Sequence, residues 1–269
     1  MTLSAQIAVP GDGVSRELAA ARARLISNIR YRYDITLEKR AARMQGHAVI
    51  QFDATRAGGP SLVLDFRDID SKGAIADGST QNLKVNGLTE TAARNGGHLV
   101  IPSRYLKNGA NQIELDFDSG IAEANHAITR YLDTEDSSEY IYTLFVPMDA
   151  HLAFPLFDQP DLKARFTLAV TAPADWTVVS NGEEMCTGAG DRRFLLNAGK
   201  HFQKSLPLLR IAEGGRELRR CPGGAFDARK SHVLKAGLRD FRVQLFWLVK
   251  VRGGEILRGV SGVPMPARG

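Results

Sequence analysis

The sequence predicts a mainly β protein: a β-sandwich or curved sheet with a short N-terminal helix and an irregular, basic C-terminal tail. Three observations carry this. Short alternating runs recur at roughly ten-residue spacing between Asn28 and Lys200, with turn residues between them. The helix-favouring stretch SRELAAARARL lies ahead of all of them. The composition then changes character after residue 200.

A helix is expected within Val14 to Ser27, with Ser15 as its N-cap. Arg22 and Arg24 are read as a solvated face. Tyr31 to Leu37 and Gly46 to Phe52 alternate with strand period. Ser61 to Phe66 is a further strand, with Leu62, Leu64 and Phe66 on one face. Leu83 to Val85 followed by Asn86-Gly87 reads as a strand and tight turn. His98 to Ile101 and Asn111 to Phe117 add two more strands. The most informative stretch is Phe154 to Phe166, FPLFDQPDLKARF. Pro155 and Pro160 fix φ and remove two backbone donors, so this is a corner and not a helix interior. Asp158 and Asp161 are suited to accept local N–H bonds, as turn carboxylates do. Phe166, Leu168 and Val170 then alternate with polar or small residues. A turn at Pro173 to Asp175 leads to a second β-rich run, Trp176 to Val179, and Ser180-Asn181-Gly182 is expected to close the pair as a hairpin.

The corner and the text after it, TLAVTAPADWTVVSNGE, resemble a signature late in the N-terminal β domain of the M1 family of zinc aminopeptidases. The resemblance reaches back to about Gly13 through GVSRELAAARARLISNIRYRYDITL and YTLFVPMDAHLAFPLFDQPDLKARF, and forward to about Gln203. It implies a twisted, saddle-like β-sandwich domain that caps a catalytic domain and forms one wall of the substrate cleft. The family reaction is hydrolytic removal of N-terminal residues from peptides.

The family's chemistry depends on a G-x-M-E-N loop and an H-E-x-x-H helix with a distant Glu. H-E-x-x-H sets two His one helical turn apart on one Zn²⁺, while its Glu activates water. The six histidines here are His47, His98, His126, His151, His201 and His232. No two are four apart and none precedes Glu; G-x-M-E-N is also missing. No catalytic, substrate-binding or metal residue is therefore assigned, and no cofactor is expected in this chain. The family's zinc belongs to the catalytic domain. Many members also carry T-Q-x-E-P, whose Gln and Glu hold the substrate α-amine. The matching residues here are Thr143-Leu144-Phe145-Val146-Pro147, with aliphatic Leu144 and Val146 at the anchor positions, and the segment reads as a buried strand.

The apolar fraction of 43% is ordinary for a globular chain. No run approaches the roughly 18 apolar residues of a membrane helix, and no signal peptide is recognisable, so a cytoplasmic location is expected. Cys186 and Cys221 are read as free thiols.

Three segments are expected: a leader and helix at 1–27, the β domain at 28–204, and a basic Gly/Arg-rich tail at 205–269 that is not a folded domain. From residue 201 onward there are 14 Lys+Arg against 5 Asp+Glu, so the preceding 200 residues hold 21 against 25 and the basic excess lies in the tail. Three readings of the tail compete: an arm for nucleic acid or an acidic partner, an interfacial segment using Phe241, Leu245, Phe246, Trp247 and Leu248, and sequence produced by a reading-frame shift. The third is favoured, because the family text begins at His201 to Leu208 and then dissolves. No specific nucleic-acid partner is assigned.

Two function classes follow. The chain is the non-catalytic N-terminal β domain of an M1-type aminopeptidase, meeting peptide substrates only within a full-length enzyme. Alternatively it is a free-standing β-sandwich interaction module. The first predicts an exposed apolar face where the catalytic domain docks; the second predicts a polar one.

Two outcomes are predicted. The purified chain should bind no stoichiometric zinc and leave aminoacyl-anilides intact, as metal analysis and an anilide assay would show. Trypsin should cut first within Arg210 to Arg220 and leave a stable fragment of about the first 200 residues.

Overall fold

The computed structural model describes residues 13–55, 59, 61–69, 74–91, 93–123, 126–135, 137–146, 148–173, 175–180, 183–187, 192–197, 209–213, 251–252 and 255–256. The chain divides into two units, residues 1–221 and 222–269. The described part of the second unit is one antiparallel pair, Val251–Arg252 with Glu255–Ile256. The predictions for Cys221, His201, His232 and most of the tail lie outside the described residues.

The first unit is mainly β, as the alternation predicts. It opens with the helix α1, Arg16–Leu25. Ser15 caps it: its Oγ accepts from the Leu18 N–H at 3.1 Å, satisfying one orphan donor of the first turn. The chain passes directly into β1, Ile26–Thr36, and β2, Arg43–Ala54. Short strands follow: β3 Leu62–Asp65, β4 Arg67–Ile69, β5 Ile75–Asp77, β6 Thr80–Val85, β7 Leu88–Thr89, β8 Ala93–Asn95 and β9 His98–Ile101. Then come β10 Gly109–Gly120, β11 Ile128–Leu132, β12 Glu139–Thr143, β13 Ala164–Ala172, β14 Trp176–Ser180, β15 Glu183–Thr187, β16 Arg192–Asn197 and β17 Leu209–Glu213.

Eight strands form the largest sheet, in the order β15-β16-β13-β1-β2-β10-β6-β7. Its centre is β1, parallel to β13 on one side and antiparallel to β2 on the other. Alternation decides the faces. Ile29, Tyr31, Tyr33 and Ile35 of β1 are buried while Arg30 and Arg32 face out. Ile113, Leu115 and Phe117 of β10 and Phe166, Leu168 and Val170 of β13 join the same core. The tight turn between β6 and β7 is also as predicted: Asn86 (φ 51°) and Gly87 (φ 83°) both take the left-handed conformation of a type I′ hairpin.

A second sheet has the order β11-β12-β17-β14, and a third β3-β9-β8. The expected hairpin between Phe166 and Val179 is corrected here. β13 and β14 belong to different sheets, because both edges of β13 are already taken by β1 and β16. The turn at Pro173, where the Trp176 N–H bonds the Pro173 carbonyl at 3.0 Å, carries the chain across. The second sheet also runs past residue 204. β17 pairs with β12 on one side and β14 on the other, closing what would otherwise be two open strand edges.

Aromatic rings dominate the core. Tyr33 stacks on Phe154 with centroids 4.7 Å apart, and Tyr31 stacks on Phe166 at 4.9 Å. Phe117 sets its edge against Phe66 at 5.6 Å and against Tyr33 at 6.2 Å. Gly46 lies opposite Phe117 across the β2–β10 pair. A Cβ at Gly46 would stand 2.3 Å from the Phe117 ring.

Gly46→Ala should therefore destabilise the domain by about 1–3 kcal/mol, since neighbouring rings leave Phe117 no room to retreat; a chemical-denaturation midpoint measures this. Because Arg210 sits within β17, the first tryptic cuts are expected on its C-terminal side, at Arg216, Arg219 or Arg220, as mass spectrometry of a limited digest would show.

Candidate functional site

The Phe154–Phe166 corner is the place where the sequence concentrates its signal. Phe154 through Gln159 are all buried. Leu156 exchanges two backbone hydrogen bonds with Asp65 at the end of β3, at 2.9 and 3.0 Å. Two tyrosines of β1 reach the same loop. Tyr33 Oη donates to the Pro155 carbonyl and Tyr31 Oη accepts from the Phe157 N–H, both at 3.0 Å. Burial raises the Tyr33 phenol well above its usual range, and burial likewise raises that of Tyr31. Both are fixed as neutral hydrogen-bonding groups.

Asp65, 1% exposed, is the hub. Its carboxylate accepts from both terminal nitrogens of Arg22, at 2.7 Å for Nη1, from His98 Nδ1 at 2.7 Å and from the Asp158 N–H at 2.9 Å. Burial pushes the carboxyl up. The bonds from His98 and Arg22, the Arg22 charge and the Asp158 N–H outweigh that and hold it below the usual carboxylate range. Asp158 completes the network: its Oδ2 accepts from the His151 N–H at 3.1 Å and pairs with His151 Nδ1 at 2.7 Å. Gln159 donates to the Ala19 carbonyl at 3.0 Å and to Asp161 at 2.9 Å, and accepts from Arg22 at 3.4 Å.

Arg22 is a correction to the sequence reading: it is 2% exposed, not solvated, whereas Arg24 is exposed. The signal was present in the spacing. Leu18, Arg22 and Leu25 are the buried residues of α1, an i, i+4, i+7 stripe. Asp65 and His98 were placed on strands by their patterns, but no pattern could announce their pairing. Asp158 accepts hydrogen bonds as expected of a turn carboxylate.

Residues 143–146 are the second correction. Thr143 ends β12; Leu144 and Phe145 are half-buried outside any strand, and Val146 is 54% exposed. The nearby Met148 is 40% exposed. The segment has left the sheet, so its last aliphatic side chain has no facing layer to cover it. Among the described residues, no group of three or more His, Cys, Asp or Glu is placed to hold a metal ion. His47 pairs with Asp116 at 2.7 Å, and His98 and His151 pair with carboxylates as above. The corner thus pairs its ionisable groups with one another. Its chemistry is that of a structural lock.

Residues 28–205 match the sequence model of the Peptidase M1 N-terminal domain. The chain belongs to the peptidase M1 N-terminal domain family. It is 28% identical over 177 residues to aminopeptidase N of Streptomyces lividans, covering 64% of this chain and 19% of that protein. It is 32% identical over 83 residues to probable M1 family aminopeptidase 2 of Encephalitozoon cuniculi (strain GB-M1), 31% of this chain and 9% of that one. In fold it is similar to leukotriene A4 hydrolase from Saccharomyces cerevisiae, with a TM-score of 0.52 at 16% identity over 71% of this chain and 29% of that one. The chain therefore spans about a fifth or less of the curated relatives it matches. Among the described residues no helix is long and apolar enough to cross a membrane.

Two outcomes test the M1 corner. Arg22→Ala, which strips the buried Asp65 of its guanidinium, should cost about 3–5 kcal/mol, and Asp158→Ala about 1–3 kcal/mol, both read from thermal or chemical unfolding. Asp65 has a lowered folded-state pKa, so its contribution is present above the ordinary carboxylate value of about 3.9 and is lost as pH falls through the folded value. Unfolding midpoints should fall on acidification in that window.

Proposed function

We propose that this chain works as the non-catalytic β portion of a cytoplasmic M1-type zinc aminopeptidase, reaching peptide substrates only together with a catalytic domain. The observation that carries the reading is the family match across residues 28–205, combined with a sequence that holds neither H-E-x-x-H nor G-x-M-E-N. Val146 and Met148 support it. Large and exposed, Val146 lies within the segment that matches the family's substrate-anchor text and Met148 just after it, which is the kind of surface a docked domain covers. With Leu144 and Val146 in place of Gln and Glu, the wall contributes no charge to bind an α-ammonium. Amine recognition would then fall to the catalytic domain. Zinc would reside there too.

The segment after β17 is proposed to be sequence from a shifted reading frame, on the strength of its charge reversal and Gly pairs. Reading the gene in all frames tests both proposals at once: H-E-x-x-H encoded shortly downstream in another frame is the expected result. Mixing the chain with that catalytic domain should yield chelator-sensitive peptide hydrolysis that neither the chain alone nor a Val146→Asp, Met148→Asp variant supports. Hydrolysis by the chain alone, or a wild-type mixture with no association, would overturn the reading.

A further inference from the structure

His98 is 3% exposed, and its two ring nitrogens face two acceptors. Nδ1 lies 2.7 Å from Asp65 Oδ1, and Nε2 lies 3.1 Å from the Gly13 carbonyl oxygen. A carboxylate anion and a backbone carbonyl can only accept. A neutral imidazole has one N–H, so it can serve one of these contacts and must turn a lone pair toward the other. Only the imidazolium donates to both.

We infer that His98 carries a proton on each ring nitrogen and acts as a pH-dependent latch, holding the segment that enters α1 against β3 and β9. The charged groups around it fit that role. Asp65 of β3 supplies the counter-charge and shares it with Arg22 of α1. Arg67 packs on Gly97, the neighbour of His98. From the corner, Asp158 reaches Asp65 through its N–H while its carboxylate is engaged by His151. Arg22 and Arg67 oppose a further cation, and among the described residues Asp65 is the carboxylate bonded to the ring that sustains it. On deprotonation the ring keeps its charge-assisted bond to Asp65, the stronger of the two, and the Gly13 contact is the one released. Gly13 stands beside Met148, whose Cε would lie 3.9 Å from a Cβ at that glycine. The latch therefore holds Gly13 next to the exposed apolar residue Met148. Its contribution is present below the ordinary imidazole range, about 6.5, and is lost as pH rises through the folded-state titration of the ring.

The full chain, with nitrogen-15 in its histidines, tests this by long-range nitrogen–proton NMR alongside amide exchange at Leu18 and Ala19, whose N–H groups bond to Ser15. Both ring nitrogens of His98 should show the protonated signature near pH 5.5 and one should lose it toward about pH 9. Over the same interval protection factors at Leu18 and Ala19 should fall about tenfold or more, as expected for loss of a hydrogen bond to a charged group. In His98→Gln, whose side chain does not titrate, that protection should be independent of pH; His98→Asn serves if the Gln variant does not fold. A ring that is singly protonated across the whole range overturns the inference. So does a ring that titrates while protection at Leu18 and Ala19 stays constant.

Discussion

One carboxylate organises this domain. Asp65 stands at the end of β3, shielded from water, and its carboxylate accepts hydrogen bonds from three different parts of the chain. Arg22 reaches it from α1, His98 from β9 and the Asp158 N–H from the corner. A buried anion is tolerable only when its lone pairs are met by donors and its charge by a cation. The positions of α1, β9 and the corner are therefore constrained together. Displacing any of them leaves a charge uncompensated in a low-dielectric interior.

That constraint explains why the corner sequence is so particular. Pro155 lacks an N–H and presents its carbonyl to Tyr33, while the Phe157 N–H goes to Tyr31. The rings of those two tyrosines belong to the aromatic layer between the large sheet and the corner. Polar satisfaction and apolar packing are thus carried by the same side chains. β1 is placed by this arrangement at the centre of the large sheet, with β13 emerging from the corner to run parallel beside it. A parallel partner cannot be reached by a tight turn, and the long path through β2 to the corner supplies the connection.

The separation of structure from chemistry follows. The ionisable groups of the corner are paired with one another, so its polar side chains are committed to holding the fold. What it offers is rigidity for the surfaces nearby, including the loop bearing Val146 and Met148. Under the function proposed above, a domain built this way serves as a wall and a support. The aliphatic residues at the anchor positions agree with that role.

The sequence by itself determined the class of fold, the strand faces, the Ser15 cap, the Asn86-Gly87 turn and the corner, because each is written in local periodicity or in the φ restrictions of Pro and the freedom of Gly. It also determined the family, because the corner text is long and ungapped. Only the tertiary structure decided the pairings. Nothing in the alternation of β13 and Trp176 to Val179 says that the two strands join different sheets; that depends on β1 and β16 already occupying both edges. Nothing local distinguishes Arg22 from Arg24 except their angular positions on α1, which matter only once Asp65 arrives beneath one of them. The strand at Leu209–Glu213 was hidden by the charge reversal around it, since strand membership is set by the open edges of β12 and β14 and not by average composition. Charge–charge recognition between residues 43 positions apart leaves no periodic trace, and burial alone makes it decisive.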